Sequence, residues 1–169
     1  GSHTASGGTS AVAVDLAALL LNGELDPGFA LFDLSRSHRI EIAHSRRDVT
    51  QFFQNFDRQP ADVLLLNNVN PIYSLPENAG AAEVLADPSL FTVAFSNFMD
   101  ETSAAADVIV PVQLPLETWD IYESRQGLLA TLQPCVGKMS QAPSLGDLFL
   151  TLLPAQKRPG HDYRGYLME

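Results

Sequence analysis

Apolar and polar positions divide this chain into short stretches of different period. Residues 11–21 are apolar except for Asp15. They predict a helix from Ala11 to about Leu21, capped by Thr9 or Ser10 and ended by Asn22-Gly23. The run is shorter than the roughly 18–20 residues that span a bilayer, so it reads as a buried helix. No arginine-led signal precedes it. Residues 23–47 show no clean period and read as an irregular connector, with a short strand near Arg39 to Ala43. Asp48 opens a second helical pattern, in which Val49, Phe52, Phe53 and Phe56 fall on one face as core aromatics. Pro60 breaks it. Residues 63–66, Val-Leu-Leu-Leu, form the continuous apolar run of a strand covered on both faces.

The next helix starts at Pro76-Glu-Asn, turns Ala81, Val84 and Leu85 inward and ends at Asp87-Pro88. Residues 90–95 predict a second strand. Strand, helix, strand in close succession is the parallel crossover unit, which is right-handed. Asp100 caps one or two helical turns over 101–106, and Val108–Val110 is a third strand halted by Pro111. Residues 112–127 read as a structured loop, and Leu128–Leu132 as a strand or an extended arm. Ser144 caps a last helix with Leu145, Leu148, Phe149 and Leu152 on one side. The pattern specifies a three-layer αβα domain with a mainly parallel, Rossmann-like sheet over 11–153. A flexible lead (1–10) precedes it and a loosely docked tail (154–169) follows.

The composition narrows the function. The chain has 169 residues, enough for one real core. Twenty acidic against ten basic residues give a net charge of −10, which disfavours nucleic acid and anionic membranes. The single cysteine, Cys135, excludes an internal disulfide and a cluster held by four local thiolates. The histidines lack the spacing of a zinc site. There is no phosphate-binding glycine loop and no nucleophile elbow.

Candidate chemistry gathers at strand ends, where open α/β sheets meet ligands or partners. Asn67, Asn68 and Asn70 crowd the loop after the first strand, and Pro71 stiffens it. They read as the wall of a nucleotide or pterin site, or as a tight turn satisfied by Asx bonds. Asp100 and Glu101 read as a helix cap with a favourable dipole charge, or as an acid and a base. Adjacent helical residues diverge by roughly 100°, which favours the cap. Arg125 reads as a clamp for a carboxylate or phosphate, or as a partner that pins the loop to Glu117 or Glu123.

These segments resemble the molybdopterin oxidoreductase (dimethyl sulfoxide reductase) family, most densely over 62–134. The family's G-x-N-P loop is similar to Asn68-Val-Asn-Pro. Its T-E-T-A…A-D-V-V-L-P run is similar to Asp100-Glu-Thr-Ser…Ala106-Asp-Val-Ile-Val-Pro. Its L-E…E-G-R…Q run is similar to Leu116-Glu117, Glu123-Ser-Arg-Gln-Gly and Gln133-Pro. The wording Phe98-Met-Asp-Glu-Thr is especially similar to the subgroup holding the iron–sulfur subunit of alternative complex III and its polysulfide-reductase-like cousins.

The resemblance implies a domain that helps hold a molybdopterin guanine dinucleotide cofactor, or one that has lost it. The implied contacts are Asn67, Asn68, Asn70 and Pro71 on one rim and Ser96, Asp100, Glu101 and Thr102 on the other, with Arg125 nearby. Asn68 replaces the family glycine, which costs close backbone approach to a pyrophosphate. The iron–sulfur Cys motif, a metal-ligand segment and the family's other domains are missing. A single domain or a degenerate relative is therefore expected, binding no metal itself and showing no turnover of its own. The implied partners are other domains or subunits of a respiratory complex, including an iron–sulfur protein. The implied location is extracytoplasmic, at the membrane through partners without direct insertion. The alternative is a structural docking module.

Overall fold

The computed structural model of the protein describes residues 11–28, 30–31 and 42–168. At its centre lies a parallel sheet of three strands, β1 (Val63–Asn67), β2 (Phe91–Phe95) and β3 (Val108–Val110), in the order β1-β2-β3. Val63 sits opposite Phe91, Asn67 opposite Phe95, and Val93 opposite Val108. Parallel neighbours need crossovers. Here these are short helices: α3 (Pro71–Ser74) and α4 (Ala81–Leu85) before β2, and α5 (Glu101–Ala105) before β3. A longer helix, α2 (Arg46–Gln54), packs beside α4, and α5 contacts both α3 and α4. Leu66, Thr92 and Ala94 are buried with Ala81 and Leu85. From the other side, Phe149 of α6 (Leu145–Leu152) meets Phe95 edge-on, with centroids 5.6 Å apart. The result is the expected α/β fold, helices flanking a parallel sheet in three layers.

Several boundaries differ from the pattern. The first helix, α1, runs Ala11–Leu25, straight through Asn22-Gly23. It is not buried: Val12, Leu16, Leu20 and Leu25 are exposed. Its apolar residues surround the axis rather than forming one stripe, so no single contact could cover them. In α2 the cap is Ser45, not a residue at the start of the Asp48 pattern. Asp48 reaches back three residues, and the two form a capping box: Asp48 N–H donates to Ser45 Oγ (3.2 Å) and Ser45 N–H to Asp48 Oδ2 (2.9 Å). Phe53 and Phe56 are core as expected, but Phe52 is exposed. The strand expected near Arg39 lies mostly outside the described residues; Ile42 and Ala43 are not in a strand.

β1 is not covered on both faces. Leu66 is buried while Val63 and Leu65 are about half exposed, because the α6 contact falls at Phe95, by the carboxyl edge. The helix expected from Pro76 is split by Gly80, whose φ of 77° ends a 3-10 turn (Glu77–Ala79) before α4 begins. Residues 112–127 are more than a loop: β4 (Asp120–Arg125) pairs antiparallel with β5 (Leu128–Leu132) across a turn at Gly127. In α6 the buried residue is Leu150; Phe149 and Leu152 are exposed. The tail forms α7 (Tyr163–Met168), which packs on α6 and β4. Among the described residues, no helix is long and apolar enough to cross a membrane.

Candidate functional site at the carboxyl edge of the sheet

The two rims expected at the strand ends are neighbours, because β1 and β2 are adjacent and parallel. Asn68 N–H donates to Phe95 C=O (3.0 Å), carrying the ladder one residue past β1. Asn68 then turns the chain with φ 48°, the left-handed conformation that asparagine tolerates. Asn70 caps α3, with Pro71 in the first helical turn. Its Oδ1 accepts the Tyr73 N–H (3.3 Å) and the Thr102 hydroxyl (2.7 Å), and its Nδ2 donates to Glu101 Oε2 (2.7 Å). Thr102 Oγ also accepts the Ile72 N–H (3.2 Å). Asp100 caps α5 by accepting the Ser103 N–H at 2.7 Å.

Asn70, Glu101, Thr102 and the Ile72 N–H therefore form one hydrogen-bonded seam, with Pro71 and Asp100 at the starts of the two helices it joins. Its polar groups are largely spent on one another. The Asn70 amide beside Glu101 holds that carboxyl below its ordinary range. Ser96 is buried and bonded to Phe98, donating to its C=O (3.0 Å) and accepting its N–H (3.1 Å). Arg125 stands apart on the β4–β5 hairpin, exposed, and is not among the residues of the seam.

Two further motif residues act as clasps. The Asp107 carboxylate accepts both the N–H (2.7 Å) and the hydroxyl (2.8 Å) of Thr92, which is fully buried, and its own N–H returns to Thr92 Oγ (2.9 Å). These bonds, the Thr92 N–H first, hold the Asp107 carboxyl below its ordinary range. Glu117 is buried and accepts the N–H groups of Met139 and Leu114, which lower its pKa in that order. It pins the loop through backbone donors.

Asn67 and Asn68 border a second feature, a cavity of 640 Å³ between the sheet edge, α6 and α7. Trp119, Phe149, Leu153 and Tyr163 form much of its wall. Arg164 lies over the Trp119 ring at 5.0 Å, and Tyr163 stacks on Tyr166 at 6.2 Å. Burial and the nearby Asp120 carboxylate push the Tyr163 phenol pKa up.

No family model matches the chain. Over 93 residues, 53% of this chain, it is 39% identical to the menaquinone reductase, molybdopterin-binding-like subunit of Nitratidesulfovibrio vulgaris. Over 97 residues, 57% of this chain, it is 29% identical to the probable oxidoreductase YoaE of Bacillus subtilis. These stretches span 13% and 14% of the two relatives. Both relatives carry oxidoreductase names, in keeping with the resemblance of the motifs.

The cavity is what sequence reasoning missed. Gln113, Trp119 and Tyr163 sit in segments without period, and only the topology brings α7 back over the strand ends. A lone tryptophan in a polar, proline-bounded stretch is the one local signal that the loop is packed. Among the described residues, no group of three or more His, Cys, Asp and Glu is arranged to hold a metal ion.

Proposed function

We propose that this chain is a domain of a molybdopterin-oxidoreductase-like subunit of a respiratory, quinone-linked electron-transfer complex. On this reading its carboxyl edge is the cofactor-free remnant of a pterin-nucleotide face and docks a neighbouring domain. The resemblance of three ordered motifs and the names of the two partial relatives support the first part. The second rests on one observation, the 2.7 Å bond from Asn70 to Glu101 that closes the two rims into a seam.

The seam does not fit a diphosphate-bearing group. None of its side chains is cationic, and the Asn70 amide holds the Glu101 carboxyl below its ordinary range. A diphosphate placed there would face the Glu101 carboxylate, and no side chain of the seam itself is an Arg or Lys that could offset it. Asn70 itself has its oxygen and its nitrogen engaged inside the protein. The role left to the face is to meet protein, within its own subunit or on an iron–sulfur partner, at an extracytoplasmic complex.

Two measurements test this. Millimolar GDP added to the ¹⁵N-labelled chain leaves the Asn70 and Glu101 amides unshifted; saturable shifts there would restore a nucleotide-binding face. In the intact complex, hydrogen exchange at residues 67–71 and 96–102 is slower than in the isolated chain. Equal exchange in both would remove the docking role.

A further inference from the structure

The two strands of the β4–β5 hairpin are guarded very unequally. β4 carries Asp120, Glu123 and Arg125, its register shifts between Glu123 and Arg125, and α7 packs against it. Charge, a bulge and a covering helix are among the usual means of closing a strand edge. β5 has none of them. Residues 128–132, Leu-Leu-Ala-Thr-Leu, contain no charge, Pro or Gly, and all five are exposed. Among the described residues β5 pairs with β4 alone, so alternate backbone N–H and C=O groups along its outer edge have no strand to meet.

Both faces of β5 are open as well. Leu128 and Leu132 point to one side, 55% and 45% exposed, and Leu129 to the other, 63% exposed. Tyr122, opposite Ala130 on the Leu128 side, is exposed too. A two-stranded hairpin by itself is marginally stable, and a third strand secures it.

Size and charge choose the occupant. A pairing five residues long falls well short of the roughly 20–30 residues a side in a stable free interface. Two copies of this chain would also each bring a net charge of −10. A strand tethered in the same subunit needs no such area, because it acts at an effective concentration on the order of millimolar. The stretches matched in the two relatives are 13% and 14% of those proteins, so most of each relative lies outside the matched stretch.

We infer that the outer edge of β5 receives a strand from another domain of the same subunit, an extended uncharged segment with apolar residues at alternate positions. This rests on the reading of the chain as one domain of a larger subunit, and it does not involve the seam.

The probe is a capped peptide, Lys-Leu-Leu-Ala-Thr-Leu-Lys, an uncharged strand core flanked by lysines for solubility. Its control has the same sequence with N-methyl groups on all five core amides, which removes the main-chain donors. Each is added to the whole ¹⁵N-labelled chain up to about 2 mM, the range of effective concentration of a tethered strand. The unmethylated peptide shifts the amides of residues 128–132 saturably, and the methylated one does not. Equal shifts with both would mean side-chain adhesion without strand pairing and overturn the assignment, as would no shift there with either. Shifts at 128–132 that grow with the concentration of the chain alone would give the edge to a second copy and overturn it too. In the intact subunit, hydrogen exchange at 128–132 is slower than in the isolated chain. Equal exchange there overturns the strand addition even where residues 67–71 and 96–102 are protected. Protection at 128–132 with none at the seam keeps the strand addition and removes the seam's docking role.

Discussion

The Thr102 hydroxyl sits between two chain segments, donating to Asn70 Oδ1 at 2.7 Å while accepting the Ile72 N–H at 3.2 Å. One buried side chain thereby ties the start of α5 to the start of α3. Thr102→Val keeps the volume and removes both bonds, leaving a half-buried N–H and one lone pair of Asn70 without partners. A loss of about 1–3 kcal/mol is expected. Urea unfolding checks it: the midpoint falls at unchanged slope. A midpoint within error of the parent would show that the seam contributes nothing to stability.

Acid exposes the same clasps. Glu101, Asp107 and Glu117 all have folded-state pKa values held down, by the Asn70 amide, the Thr92 donors and the Met139 and Leu114 N–H groups respectively. A depressed carboxylate contributes stability that is full above its unfolded-state pKa, about 3.9 for Asp and 4.3 for Glu. That stability is lost as pH falls through the lower folded value. Stability should therefore be flat in this respect above about pH 5 and fall steeply below pH 4. Thr92→Val removes the hydroxyl bond to the Asp107 carboxylate, together with the acceptor of the Asp107 N–H, and should flatten the acid limb of the profile. An unchanged acid slope in that variant would detach Asp107 from the effect.

The hydrophobic pattern made the central sheet legible because each strand is a short apolar run bounded by Pro, Asn or Asp. Asp62 precedes β1, Pro88 precedes β2 and Pro111 follows β3. Asp100 and Ser144 were legible as caps because the hydrogen bond they make is local. What stayed hidden is non-local. Nothing in Asp-Ile-Tyr-Glu-Ser-Arg marks β4 until β5 pairs with it. The apolar content of α1 suggested burial, whereas its lack of a single apolar stripe goes with its exposure. The site is non-local too: Asn67 to Pro71 could be placed at a strand end, but whether Asn70 faces a ligand or Thr102 is decided by a neighbour 32 positions away.

Asn68 holds φ 48° at the position where the similar motif has glycine. The backbone there takes the left-handed conformation that glycine adopts freely, although here it carries a side chain. Asn68→Gly should leave stability within about 0.5 kcal/mol of the parent, whereas Asn68→Ala should lose about 1–2 kcal/mol, the penalty for an ordinary residue in the left-handed region. Thermal unfolding of the pair measures the difference. Equal melting temperatures for the two variants would mean that the loop relaxes out of this conformation.

Gly146 and Tyr163 test whether α7 closes the cavity. A Cβ built on Gly146 would lie 2.1 Å from Tyr163 Cγ, so no side chain fits while the phenol ring keeps its place. The ring is held by the Tyr163 N–H bond to Asp147 Oδ1 (2.7 Å) and by its hydroxyl on Asp120 (3.2 Å). Gly146→Ala favours α6 by helix propensity yet must expel the ring. Arg164 then leaves Trp119, the sole tryptophan, whose emission should shift to the red as its ring meets water. Tyr163→Ala makes room for the new methyl, so the two changes should not add: the double variant should be more stable than the sum of the singles predicts, by about 0.5–3 kcal/mol. Additive effects, with Trp119 emission unmoved by Gly146→Ala, would show that α7 does not rest on α6 in solution.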